Sequence, residues 1–191
     1  MTSPSPIIVQ DEFAPNNILE CTLKEDIIRL FKIQGYSSLE ADTISFWKKK
    51  GHNELNGLLR AGIVNDKIRL LDSAIERSLM KESYVLYRGL SKEGAEGMRN
   101  LGKGSIYRPG QFTSMSRQLE IAYKYAHGNS GIIIEARTKP ETKGIIFGDI
   151  NYEDEVLLPR TIQFLIIDIR HGVDDAGNST MRYICEVKYG N

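Results

Sequence analysis

A change of period near residue 81 limits this chain to a mixed architecture. Up to residue 80 the apolar residues recur at helical spacing. From Tyr84 onward they come in short β-type runs broken by glycine and proline. Leu19, Leu23, Ile27, Leu30 and Phe31 form a first helical stripe, which Gly35 closes. Ser37 or Ser38 caps a second helix carrying Leu39, Ala41, Ile44, Phe46 and Trp47 and running into Lys48-Lys49-Lys50-Gly51. Cations in a last turn suit the helix dipole, so this lysine run reads as a C-terminal signal. Residues 53–61 give a third helical piece. Asn65-Asp66 caps a fourth, with Ile68, Leu71, Ile75 and Leu79 on one stripe. Strands are expected at 84–88, 111–116, 131–136, 144–147, 155–158, 161–168 and 182–188, with helices at 91–100 and 118–127. Residues 102–110 read as a loop and 174–178 as a hairpin-type turn. The expectation is an α+β fold, in which N-terminal helices pack on two small antiparallel β-sheets.

Length and charge narrow the partners. The 191 residues suit one domain, 17–191, with a helical part to residue 80 and a mostly β part from 81, behind a flexible arm at 1–16. The formal net charge is +0, so no global basic field would hold a nucleic-acid backbone; Lys48–Lys50 with Arg60 and Lys67 could still form a local patch. No apolar run is long enough to span a membrane, and the N-terminus lacks the basic-then-apolar pattern of a secretory signal. A soluble protein is expected, either cytoplasmic or exported without a classical signal. The two cysteines, Cys21 and Cys185, stand in no metal spacing; whether they pair is left open.

Three segments could bear chemistry. In Tyr152-Glu153-Asp154-Glu155-Val156-Leu157-Leu158-Pro159, two glutamates two apart precede an apolar run. On a strand they share a face, and their repulsion costs free energy unless a cation lies between them. An isolated pair of this kind is usually a solvated turn. Arg88, at the end of Tyr84–Arg88 and before Gly89, can fork onto a phosphate, and Gly89 would let a ligand approach the backbone. Ser114 and Ser116 in Phe112-Thr113-Ser114-Met115-Ser116 alternate to one side of a strand, where hydroxyls could orient a carboxylate or a ribose. Gly97–Gly104 misses the P-loop pattern at the hydroxyl that would bind Mg²⁺ and follows a helical stretch, so it reads as a glycine loop. His52, His127 and His171 are scattered, and no metal is expected.

Taken in order, Tyr87-Arg88-Gly89, the Phe112–Ser116 run followed by Ile121-Ala122-x-x-Tyr125-Ala126, and Glu153-x-Glu155-x-Leu157-Leu158-Pro159 resemble the mono-ADP-ribosyltransferase family of the Arg-Ser-Glu class. The Asn53–Arg60 stretch is similar to that family's helix ending in Leu-Arg, and Thr142–Ile145 to the strand leading into its acidic motif. The resemblance covers roughly Tyr84 to Ile169. It implies an NAD cleft between the two sheets, with NAD as co-substrate. It also implies that Arg88 contacts the NAD phosphates and nicotinamide-side ribose, with Gly89 and Ser116 beside the dinucleotide. Ser114 would hold Glu155, the catalytic glutamate, which would bind the ribose 2′-hydroxyl. Glu153 would address the acceptor, and Asn151, Tyr152 and Phe147 would recognise the target. Met115 departs from the threonine often found in the family; facing away from the two serines, it could be packed. Glutamate at 153 implies an arginine acceptor, whose guanidinium would be the cation between the two carboxylates. The implied partner is a protein with an accessible arginine, with a cognate inhibitor or antitoxin as a further candidate. Alternatives kept open are the same fold with a nucleic-acid acceptor, a fold that mainly hydrolyses NAD, and a non-catalytic binding module on a transferase scaffold.

Overall fold

The structure, a computed structural model, describes residues 25–189 apart from 26, 129, 149–152 and 175. The 1–16 arm, Cys21, and Asn151 and Tyr152 of the expected recognition turn lie outside the described residues.

The helical part begins with α1 at residues 27–33, which Gly35 closes at φ +89° with Tyr36 N–H donating to Phe31 O. Helix α2 (Ser38–Phe46) starts at a capping box: Ser37 Oγ accepts from Glu40 N, and the Glu40 carboxylate accepts from Ser37 N. The chain does not stop at the lysine run, as the sequence suggests. It passes through a π-helical turn, Trp47–Gly51, directly into α3 (His52–Arg60). Gly51 permits this: a Cβ there would lie 2.5 Å from Phe46 Cδ1 and 2.8 Å from Phe46 O. Such turns rotate the following residues about the helix axis and recur at functional sites. Helix α4 (Asp66–Glu76) is capped by Asn65, whose side chain accepts from Ile68 N.

Beyond these lie β1 (Val85–Gly89), α5 (Lys92–Arg99), β2 (Ile106–Tyr107), β3 (Thr113–Ser116), α6 (Leu119–Ala126), β4 (Ile132–Arg137), β5 (Ile145–Ile146), β6 (Glu155–Leu158), β7 (Ile162–Val173) and β8 (Ser179–Tyr189). The α+β class holds. The strands form one hydrogen-bonded sheet in the order β2-β7-β8-β4-β1-β3-β6-β5, where two were expected. A five-stranded part (β2-β7-β8-β4-β1) and a three-stranded part (β3-β6-β5) meet through the single pair Tyr87↔Ser116. Arg88, Ser114 and Glu155 lie on β1, β3 and β6, within a few residues of that joint. The β4–β8 pair is parallel, while the other pairs are antiparallel. Strand β2, expected as loop, is added by pairing with Leu165 and Phe164 of β7, with Tyr107 stacked on Phe164. Strands β7 and β8 extend past their apolar stretches through exposed polar residues such as His171, which hydropathy does not mark.

Two cores result. Phe31, Ile44, Trp47, Leu55, Ile68, Leu71 and Ile75 of the helical part pack on Phe112, Ile145, Phe147 and Leu157 of the small end of the sheet. Met98, Leu86, Ile134, Phe164 and Tyr183 fill the other, under α5. Cys185 lies in that second core, where burial pushes its thiol up to about 12 and makes it inert at neutral pH. No helix among the described residues is long and apolar enough to cross a membrane.

Glu40 ties α2 to α4. Burial alone would push its carboxyl up, but hydrogen bonds from Arg77, Ser37 and Ser73 outweigh that and bring it from 4.5 to about 2. A depressed carboxyl stabilises the fold fully above its unfolded value and loses that contribution as pH falls through its folded one. Wild type should therefore lose about 2 kcal/mol from this group between pH 5 and 2, Arg77 being half-exposed and solvent-screened. In denaturant titrations across that range, Glu40→Gln should start less stable and show a shallower acid limb.

Candidate active site

The joint between β1 and β3, the π-turn and α6 line a cavity of ≈ 370 Å³. Arg88, Ser114, Glu153 and Glu155 all line it, together with Trp47 and Lys48.

Glu155 opens β6 opposite Ser116 of β3, which makes Ser114 its diagonal neighbour on the same face. Ser114 Oγ donates to Glu155 Oε1 in a short hydrogen bond. Trp47 Nε1 approaches the same oxygen at 3.5 Å. The other oxygen, Oε2, meets Lys48 Nζ in a short ion pair. Glu155 is 6% exposed, so both carboxylate oxygens are occupied by protein donors inside the cleft.

Glu153 precedes the strand, so strand alternation does not align it. Its convergence on Glu155 comes from Asp154, which adopts φ +45°, uncommon for a residue other than glycine. A bidentate ion pair holds that turn: Arg117 Nε donates to Asp154 Oδ2 at 2.8 Å and Nη2 to Oδ1 at 2.6 Å. Ser116 Oγ donates to Glu153 O at 2.6 Å and accepts from Gln118 N. The Glu153 carboxylate thereby accepts from Tyr125 OH at 2.7 Å and lies 3.4 Å from Lys48 Nζ.

Arg88 donates from Nη1 to Ser114 O at 2.7 Å, and forms no ion pair among the described residues. Desolvation in the cleft pulls its guanidinium below the usual range, against the fields of Tyr107, Glu155 and Tyr125; it remains a cation at neutral pH. A desolvated guanidinium beside an open cavity is a receptor for an anion.

Several sequence expectations change. Gly89 borders the cavity, and its missing side chain also lets α6 approach the strand. A Cβ there would sit 2.1 Å from Ala122 O and 2.6 Å from Ala126 N. Gly89→Ala should therefore force α6 off the sheet, at a cost of about 1–3 kcal/mol, read as a lowered denaturation midpoint. Ser116 is 4% exposed, and its hydroxyl is engaged in the acidic turn, which suits positioning rather than contact with a dinucleotide. Phe147, expected against the target, is 2% exposed and meets Phe31 edge-on. Met115 is packed in the core, as its strand parity implied. Lys48 does not lie at a helix end: the π-turn carries it inward, between the two glutamates. Trp47, Lys48 and Tyr125 are the site residues that sequence reasoning missed. Tyr125 belongs to the helix motif after Ser116, but nothing local ties its hydroxyl to Glu153. Among the described residues no group of three or more His, Cys, Asp or Glu side chains is arranged to hold a metal ion.

A profile described as ADP-ribosyltransferase exoenzyme matches residues 30–186. No curated protein matches the chain by sequence. Among solved structures the chain is similar to Plx2a, an ADP-ribosyltransferase toxin from Paenibacillus larvae. The TM-score is 0.68 at 17% identity, over 94% of this chain and 100% of that one. It is similar to an ADP-ribosyltransferase from Clostridium botulinum, with a TM-score of 0.64 at 20% identity over 87% and 94% of the two chains. C3stau2 from S. aureus, solved with NAD, matches with a TM-score of 0.66 at 19% identity over 91% and 96%. At these identities the likeness establishes a shared fold.

Proposed function

The chain belongs to the ADP-ribosyltransferase exoenzyme family, and from that premise we propose that it moves ADP-ribose from NAD onto an arginine of a target protein, releasing nicotinamide. The observation that supports this most is the convergence of Glu153 and Glu155 in one cavity with Ser114 and a desolvated Arg88. C3stau2, of the same fold, was solved with NAD, which supports NAD as the co-substrate.

Each residue then has a task set by its chemistry. Arg88 receives the NAD phosphates as the anionic partner of its guanidinium. Glu155, oriented by Ser114, accepts a hydrogen bond from the 2′-hydroxyl of the nicotinamide ribose. As the bond from C1′ to nicotinamide breaks, positive character develops on the ribose, and the nearby carboxylate stabilises it. Glu153 receives the acceptor. A guanidinium stays protonated far above neutral pH and is a poor nucleophile. A carboxylate held by Tyr125 can polarise it and take its proton as it attacks C1′. Ser116 and the Arg117–Asp154 pair position Glu153. Asn151 and Tyr152 precede Glu153 directly and are assigned to target recognition.

The deciding experiment is transfer from labelled NAD into a cell lysate, with wild type beside Glu155→Ala. A wild-type label that protease removes, that nuclease spares and that the variant does not produce is the expected result. Chemical release of the label under conditions diagnostic for ADP-ribosyl-arginine then tests the acceptor. A nuclease-sensitive label would move the acceptor to nucleic acid, and nicotinamide release without label would mark a glycohydrolase. Neither label nor nicotinamide would favour a non-catalytic module.

A further inference from the structure

Lys48 fills a space that the proposed chemistry needs. Its Nζ is ion-paired to Glu155 Oε2 and lies 3.4 Å from Glu153 Oε2 and 5.4 Å from the centroid of the Phe147 ring. The side chain is 13% exposed, so it points into the cleft rather than out of it. Its origin is the π-turn, and the buried Trp47 anchors that turn on Phe112. The two-carboxylate repulsion is thus relieved in the free protein by a cation of its own chain.

We propose that Lys48 is a tethered competitor for the acceptor: its ammonium fills the position between Glu153 and Glu155 that an acceptor guanidinium must take. This rests on the arginine-acceptor reading above. The physical consequence is selectivity. An ammonium is a compact point charge, whereas a guanidinium is a planar fork that can engage two carboxylates at once. A guanidinium arriving in the cleft therefore offers the glutamates more than Lys48 does. An incoming lysine offers the same group as Lys48 and competes with a tethered copy at an effective concentration on the order of millimolar. Lys48 thus admits guanidine acceptors and excludes amines. While in place it also keeps Glu155 Oε2 engaged, which restrains NAD cleavage when no acceptor is present.

Binding without NAD tests this independently of turnover. Wild type and Lys48→Met, checked for equal melting temperature, would be titrated with agmatine as a free guanidine and with n-butylamine as a free amine. Lys48→Gln replaces the Met variant if that one does not fold. The variant should bind agmatine about tenfold more tightly, since the share of sites closed by Lys48 no longer discounts the affinity. It should also bind butylamine at concentrations where wild type does not. Adding Glu153→Gln to the variant should abolish both gains. Equal or weaker agmatine binding by the variant, or no binding by either protein, overturns the proposal. With NAD present, Lys48→Met should lower KM for agmatine and raise acceptor-free nicotinamide release. A fall in kcat at unchanged KM would overturn the competitor role and place Lys48 in the chemical step. If the binding difference is found and neither protein modifies agmatine, the arginine-acceptor reading fails, and what stands is that Lys48 competes with guanidines for the space between Glu153 and Glu155.

Discussion

Glu155→Gln should lower nicotinamide release and transfer together, each by about a thousandfold, with little change in NAD affinity. The charge it removes acts on a transition state rather than on the bound ground state, and losing one such electrostatic contact costs about two to three orders of magnitude. Glutamine keeps the shape and can still accept from Ser114 Oγ, so the sheet register from Ser116↔Glu155 to Thr113↔Leu158 should survive. The measurement is single-turnover release of nicotinamide, with NAD binding followed by calorimetry. A variant that keeps more than a tenth of wild-type release would remove Glu155 from the chemical step.

Glu153→Gln should separate the two activities. Transfer to an arginine acceptor should fall about a hundredfold or more, as expected for loss of a positioned general base. Nicotinamide release should fall far less, because water needs no guanidinium base and Glu155 retains its contact with Ser114. Glutamine can still accept from Tyr125 OH, so the turn at Asp154, held separately by Arg117, should stay in place. Measuring label transfer and nicotinamide release in the same reactions gives the ratio directly. Equal losses in both would mean that the two glutamates act as one unit and that Glu153 has no separate part in the acceptor step.

Much of this site could be read in one dimension because its parts are local. Arg88 ends a strand, Ser114 and Ser116 share a strand parity, and Glu155 opens an apolar run; each of these is set by two or three neighbouring residues. Their order along the chain was enough to suggest the family. Helix caps at Ser37 and Asn65 and the stop at Gly35 were likewise legible, since capping is a contact between residues three apart. Strand β2 and the outer halves of β7 and β8 were not, because cross-strand pairing rather than local hydropathy defines them.

The period change near residue 81 and the acidic motif depend only on side-chain spacing, so the chain itself dictated the α+β class and the two carboxylates. Where those carboxylates point, and what they meet, depended on groups far away in sequence. The turn at Asp154 that brings Glu153 inward is clamped by Arg117, 37 residues earlier. Gly89 is required by the backbone of α6, which no property of residues 87–91 reveals. Lys48 reaches Glu155, 107 residues away, because Gly51 allows a π-turn that swings it off the solvent face. A run of three lysines before a glycine looks the same in sequence whether it ends a helix or continues one. Steric fit against Phe46 and the packing of Trp47 on Phe112 decided between the two.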